Sequence, residues 1–307
     1  MAMIDTTDLT KRYGDVTAVD GIDLTVEAGS LHGFVGHNGA GKSTTMQMLV
    51  GLVSPTEGEA YIDGEPAGSA AATEKIGYAP QEPEFYESMS GRAYLVYMGK
   101  LAGVSTPAER AEELLSWLDL ADAADQAIGG YSGGMRRKLG MAQAMLESPE
   151  LLVLDEPTAT LDPEGRASII DALQGLTDDG TTVFVSSHVL AELEQFIDTV
   201  TILQGGSIAA SGPIDEVLSD VAAETYVVDA SDNRQLGELL EGHSTVEQVR
   251  HRDDGRLTVV ATDPQAFTVA LPELLYEADL GLRSLQQEGG LEETFLDIVN
   301  GAGEDDA

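Results

Sequence analysis

An α/β fold organised around one phosphate-binding turn is what this sequence predicts, and three observations carry the prediction. Gly36-His37-Asn38-Gly39-Ala40-Gly41-Lys42-Ser43-Thr44 fits G-x-x-x-x-G-K-[ST] at every fixed position. The turn stands between an apolar run at 31–35, read as a strand, and a helix expected from 42 to about 52. Residues 151–154 are wholly apolar and 181–186 read as another buried strand, as in a parallel sheet covered on both faces.

In such a loop successive backbone N–H groups converge into a nest for phosphate oxygens, and the following helix adds its partial positive charge. Lys42 is then placed to reach the β- and γ-phosphates of a nucleotide. The Ser43 hydroxyl joins the shell of a Mg²⁺ ion, with Thr44 behind it or on the α-phosphate. Asp155-Glu156 follows the apolar run at 151–154, so two carboxylates stand at a buried strand's end. Asp155 suits holding Mg²⁺ through its water shell, and Glu156 suits polarising a water for in-line attack on the γ-phosphate.

The remaining chain fits around these motifs. Residues 3–35 alternate polar and apolar, with turns at 13–15 and 27–30, and predict short antiparallel strands. Residues 54–58 read as a loop, 60–64 as a strand and turn, and 76–81 as an apolar segment. From about 82 to 144 the pattern is helical. Thr106 is expected to cap there with Glu109 reaching back, Pro107 to open the helix, and Leu114, Leu115, Trp117 and Leu118 to form its buried stripe. Asp162-Pro163 is expected to cap and open another helix. Residues 189–196 read as helical, and 200–203 with 207–210 as a hairpin around Gly205-Gly206.

Near residue 220 the organisation changes. Strand 225–229, helix 234–240, hairpin 246–250 with 257–261, helix 264–276 and strand 282–286 follow in a β-α-β-β-α-β order that resembles a small ferredoxin-like unit. A last helix is expected at 291–299. The expected domains are 1–220 with a helical insert at about 82–144, an α+β accessory domain at 221–300, and a disordered acidic tail at 301–307.

Composition narrows the setting. The 307 residues carry a net charge of −38 and contain no cysteine, which excludes disulfides and thiolate metal sites. Only five lysines occur: Lys11, Lys42, Lys75, Lys100 and Lys138. After residue 220 there are 19 acidic residues against 5 arginines, so acid is spread over both parts instead of gathered in a tail. Such a surface suits a high-salt cytoplasm, where screening removes self-repulsion. The expectation is a halophilic protein; full activity and stability without molar salt would count against it. Duplex binding is disfavoured by the same charge, and no nucleic acid is expected as partner. No apolar run approaches the roughly 18 residues that span a bilayer. His32, His37, His243 and His251 form no metal-ligand spacing.

Between the phosphate loop and Asp155 stands Tyr131-Ser132-Gly133-Gly134-Met135, a serine hydroxyl and glycine N–H groups at a helix start, which forms a second anion site. This order of motifs over a P-loop NTPase core resembles the ATP-binding subunit of an ABC transporter, whose signature is LSGGQ; Tyr131 and Met135 depart from it, on the ribose side. The resemblance implies further roles. Tyr13 stacks on adenine, Gln81 senses Mg²⁺ and the attacking water, Asp162 crosses the dimer interface, and His188 contacts the γ-phosphate. It also implies that Ser132, Gly133 and Gly134 face ATP held by a second subunit. The implied protein is an ATPase that dimerises, alike or unlike, on two ATP molecules and drives separate membrane-spanning permease subunits from the inner face of the cell membrane. The permease is expected to dock near Gln81 and residues 82–92. The end of the chain, around Leu291-Glu292-Glu293-Thr294-Phe295-Leu296, resembles the extension of efflux-type exporters. The competing reading is a non-transport ABC-type ATPase acting in translation or DNA maintenance, which usually carries long coiled coils or two ATPase halves. A regulatory binder with little hydrolysis is a third.

Overall fold

The computed structural model describes residues 1–159, 161, 163–188, 193–194, 196–217, 225–252 and 254–287. The chain divides into two compact units, Met1–Pro213 and a second that begins at Ile214.

In the first unit turns fall at 14–15 and 28–29, within the expected 13–15 and 27–30, and β1 (Ala2–Tyr13) is longer than the short strands expected. It pairs antiparallel with β2 (Val16–Ile22), β3 (Thr25–Glu27) and β5 (Glu57–Ile62), changing register along its length. Such breaks let one strand serve three partners. β6 (Glu65–Pro66) completes this antiparallel sheet. The second sheet runs in the order β11-β10-β4-β9-β8-β7, formed by β4 (Leu31–Gly36), β7 (Ile76–Ala79), β8 (Leu151–Leu154), β9 (Thr182–Ser187), β10 (Thr199–Gln204) and β11 (Ser207–Pro213). All its pairs are parallel except the β10–β11 hairpin.

Every residue of β4, β8 and β9 is buried, as their apolar character predicts. The two sheets share a core in which Phe34 and Phe184 meet at 5.1 Å, with Met46, Leu49, Ile4 and Ile62 around them. Polar groups are also buried in the parallel sheet, among them His32. His32 stacks on Phe184 and bonds Thr199 Oγ1 (2.7 Å) and Thr201 Oγ1 (2.9 Å). Burial pushes its pKa down to about 4, so it is neutral in the fold.

Helix α1 (Lys42–Leu49) stops just before Gly51, which turns left-handed (φ 77°) with its N–H closing on Met48 O. A short α2 (Ala70–Thr73) precedes β7. The helical insert contains α3 (Gly91–Leu101), α4 (Pro107–Trp117) and α5 (Gly133–Ala144); residues 82–90 are not helical. Pro107 does open α4, but Thr106 makes no side-chain cap, its backbone lying at φ −124° and ψ 64°. Leu114, Leu115 and Leu118 are buried as expected, whereas Trp117 lines a surface groove with Arg110 and Leu176. α6 (Pro163–Asp178) follows β8. Most of the helix expected at 189–196 lies outside the described residues.

The second unit holds β12 (Thr225–Ala230), α7 (Asn233–Leu240), β13 (Val246–His251), β14 (Leu257–Ala261), α8 (Pro264–Glu277) and β15 (Leu282–Gln287). Its four strands form one antiparallel sheet in the order β13-β14-β12-β15, with a core of its own around Phe267, Leu271 and Val228. Asp232 and Asp263 cap the two helices by accepting from the amides of Gln235 and Ala266. The helix expected at 291–299 and the tail at 301–307 lie outside the described residues. Among those described, no helix is long and apolar enough to cross a membrane.

Candidate active site

Four neighbouring parallel strands end on the same side of the sheet, and each delivers one motif there. β4 runs into the phosphate loop, β9 into His188, β8 into Asp155-Glu156 and β7 into Gln81. In open α/β sheets the carboxyl ends of the strands form the ligand crevice.

The loop leaves β4 at Gly36 and enters α1 through Gly41 (φ 106°), where no side chain caps the helix. A Cβ on Gly41 would overlap Ala18 O, so glycine is required by both conformation and space. Lys42 is 5% exposed, and its ammonium donates to Gly36 O (2.6 Å) and His37 O (3.2 Å) while lying 3.8 Å from Glu156 Oε1. Burial lowers its pKa, against the opposing attraction of Glu156 and Asp155. The cation therefore rests on the rim of its own loop.

Glu156 is the hub. Its side chain is buried, Oε2 accepts from Gln81 Nε2 at 2.9 Å, and His188 Nδ1 stands 3.1 Å from the same oxygen. Asp155, also buried, bonds Ser186, which likewise touches the Glu156 amide. The Tyr78 phenol beside them is pushed up to about 12, first by burial and then by the Asp155 charge.

A cavity of about 520 Å³ runs from Tyr13 along Asn38, Gly39, Lys42 and Ser43 to Gln81 and Glu156. Tyr13 is 49% exposed at its mouth, with Lys11 Nζ 5.1 Å from the ring centroid and held by Ser54 O at 2.6 Å. One ring face is thus occupied by a cation. Ala40 closes the loop by bonding His37 O and accepting from Gly206, and Thr44 also lines the cavity.

These donors fit a triphosphate and Mg²⁺. Among the described residues no three His, Cys, Asp or Glu side chains form a metal cage. A cation here would be held by the Ser43 hydroxyl and Asp155 and take its other ligands from phosphate and water, as Mg²⁺ does.

The second anion turn is elsewhere. Ser132 caps α5 by accepting from Met135 N at 3.2 Å, and it is exposed. With Gly133 and Gly134 it lines a separate cavity of about 590 Å³ beside Asp119, Lys138 and Leu161. Tyr131, one of the two departures, points into the helical insert: it is 7% exposed and donates to Ala123 O at 2.9 Å. It fills space that only a glycine at 91 leaves open, since a Cβ on Gly91 would overlap the Tyr131 hydroxyl. That departure is packing within the insert. Met135 does line the cavity. Asp162 lies outside the described residues.

Comparison with known proteins decides the family. The chain is 36% identical over 98% of its length, and 94% of the relative's, to a daunorubicin/doxorubicin resistance ATP-binding protein of Streptomyces peucetius. It belongs to the ABC transporter ATP-binding subunits. The ABC transporter family model matches residues 19–159. A Nod factor export ATP-binding protein of Burkholderia lata is 32% identical, covering 97% of each chain. A dimeric bacterial ABC transporter cassette superposes with a TM-score of 0.64 at 25% identity, covering 69% of this chain and 99% of that one. As an ABC transporter subunit the chain is an ATPase that binds ATP with Mg²⁺ and powers transport with membrane permeases. A cassette devoted to translation or DNA maintenance is not favoured by these relatives.

Sequence reasoning missed two residues of this ABC subunit's site. Ser186 was signalled only as a hydroxyl inside an apolar strand, and Lys11 only as one of five lysines lying two residues before Tyr13.

Proposed function

We propose that this chain is the ATP-hydrolysing subunit of an exporter, with Glu156 as general base. The observation that carries this is the meeting of Lys42, Gln81 and His188 on the Glu156 carboxylate. Within 3.1 Å of Glu156 Oε2 stand both a neutral amide donor and an imidazole, so the carboxylate is oriented before any water arrives. Gln81 and His188 then act as the positioning partners that the attacking water and the γ-phosphate would meet.

In this reading Lys42 exchanges its loop carbonyls for β- and γ-phosphate oxygens, and the loop N–H groups of residues 36–44 hold the rest of the chain of phosphates. Tyr13 offers its free face to adenine. Ser43 and Asp155, with Gln81 at the edge, would hold Mg²⁺, which when bound would neutralise phosphate charge during transfer of the γ-phosphoryl group from ADP to water. Ser132, Gly133 and Gly134, set in their own cavity, face the nucleotide of a second copy or a related subunit, and Asp162 crosses that interface. A dimeric neighbour of the same fold supports this pairing.

Export as the direction of transport is supported by the relatives, one a resistance protein and one an export protein. The permease docks on residues 82–92 beside Gln81, holding the subunit at the inner face of the cell membrane. We further read residues 1–220 as the ATP-binding domain and 221–300 as a ferredoxin-like accessory domain. The β-α-β-β-α-β order and the strand order β13-β14-β12-β15 support that reading. A high-salt cytoplasm is the setting that the net charge of −38 supports.

Replacing Glu156 with Gln tests the central claim. Turnover is expected to fall by about 100-fold or more, while an ATP-dependent dimer accumulates on a sizing column. Retained phosphate release would remove Glu156 from its role.

A further inference from the structure

Strand β9 is buried along its whole length, and Ser186 within it has no exposed surface. A hydroxyl at such a place is unfavourable unless it is hydrogen-bonded. Ser186 is, and both of its partners belong to the end of the neighbouring strand. Its Oγ accepts the Glu156 N–H at 2.9 Å and donates to Asp155 Oδ1 at 2.6 Å. The shorter distance is that of a hydroxyl bonded to an ionised carboxylate. One proton and one lone pair are therefore used, each on a different member of the Asp155-Glu156 pair.

Glu156 also has a left-handed backbone (φ 50°), unusual for a residue with a long side chain. Strained conformations of this kind persist only where the surroundings hold them. The amide bonded to Ser186 belongs to that strained residue, whose side chain meets Gln81, His188 and Lys42.

We propose that Ser186 is a positioning residue for hydrolysis: one buried hydroxyl locks the carboxylate that serves the metal and the backbone of the residue that serves the water into a single unit. This rests on the roles assigned above to Asp155 and Glu156. Ser186 has no exposed surface to offer a nucleotide or water. It acts by settling which Asp155 oxygen remains for the cation's shell and by holding the turn that aims Glu156. The loss of one hydroxyl would therefore disturb two functions at once, metal use and the chemical step, and leave nucleotide binding by the phosphate loop alone.

The test compares S186A with the pair S186T and S186V, which are equal in size and differ only in the hydroxyl. In wild-type protein and each variant, turnover, KM for ATP, the Mg²⁺ concentration for half-maximal rate, Mg²⁺-free nucleotide affinity and thermal midpoint are measured in one buffer. For S186A we expect kcat to drop about 10- to 100-fold, the Mg²⁺ requirement to rise several-fold, and Mg²⁺-free affinity to stay within about 2-fold. S186T should regain most of the turnover that S186V lacks. A nucleotide-free crystal structure of S186A should have Glu156 out of the left-handed region. Wild-type turnover and Mg²⁺ requirement in S186A would overturn the proposal. So would a loss of activity that only follows a loss of folded protein or of Mg²⁺-free affinity. Should E156Q and D155N keep their activity, the assignment of the carboxylates fails. Should they lose it while S186A behaves as wild type, only the role of Ser186 fails.

Discussion

The phosphate loop and the Ser132 turn are both glycine-bearing helix starts, yet they differ in what surrounds them. Around the loop, Lys42, Asp155 and Glu156 are each at most 6% exposed and are joined to Gln81 and His188 from other strand ends. Ser132 is exposed, and among the described residues its hydroxyl bonds the third residue of its own helix, Met135. The first turn sits in a charged network completed by its own chain. The second stands in an exposed cavity beside Asp119 and Lys138, which fits the proposal that a second subunit's nucleotide meets it there. A local motif thus supplies the donors, and the tertiary environment decides whether they can work alone.

The comparison can be broken most directly at its two centres. K42A is expected to weaken ATP binding by the isolated chain about 10- to 100-fold, the effect of losing charge-assisted bonds to phosphate. S132A should leave that binding within about 2-fold while lowering steady-state phosphate release about 10-fold, as the loss of a donor felt only in the assembled site. Nucleotide titration of the single chain set against turnover separates them; weaker single-chain binding in S132A would erase the distinction drawn above.

Next in size is the packing that ties the Ser132 turn to the insert. G91A should cost about 1–3 kcal/mol of stability, the usual penalty of overpacking, because its methyl group meets the Tyr131 hydroxyl. Adding Y131L should return part of the loss. Strict additivity in the denaturant midpoints of the double variant would contradict that contact.

A smaller effect concerns the sheet beneath both turns. His32 has a folded pKa of about 4 against an ordinary 6.5, so the unfolded chain binds the extra proton first. Its contribution is complete above about pH 6.5 and is lost as pH falls toward 4. Between pH 7.5 and 5 the wild type should lose about 2 kcal/mol more than H32Q in chemical unfolding at fixed salt. Parallel pH curves would refute the assignment.

Much of the site was legible because its members are short motifs at strand ends. Residues 36–44 and 155–156 are each contiguous, and apolar runs before them mark the strands. Gln81 and His188 needed the order of motifs, since nothing local distinguishes them. Local detail slipped where backbone conformation overruled pattern: α1 stops at Leu49, and Thr106 makes no cap although Pro107 opens its helix. Trp117 carried helical periodicity but faces a groove, because periodicity gives the side of a helix and not what covers it.

By itself, the chain's chemistry determined a phosphate loop, a carboxylate pair after a buried strand, an α/β core with a second unit, and an acidic surface; each depends on residues close in sequence. Only the tertiary structure decided that Glu156 collects Gln81, Lys42 and His188, that Ser186 bridges both carboxylates, and that Tyr131 serves packing. Those contacts join residues up to 114 positions apart, as Lys42 is from Glu156, and strand order in the sheet, which no local pattern encodes, is what brings them within bonding distance.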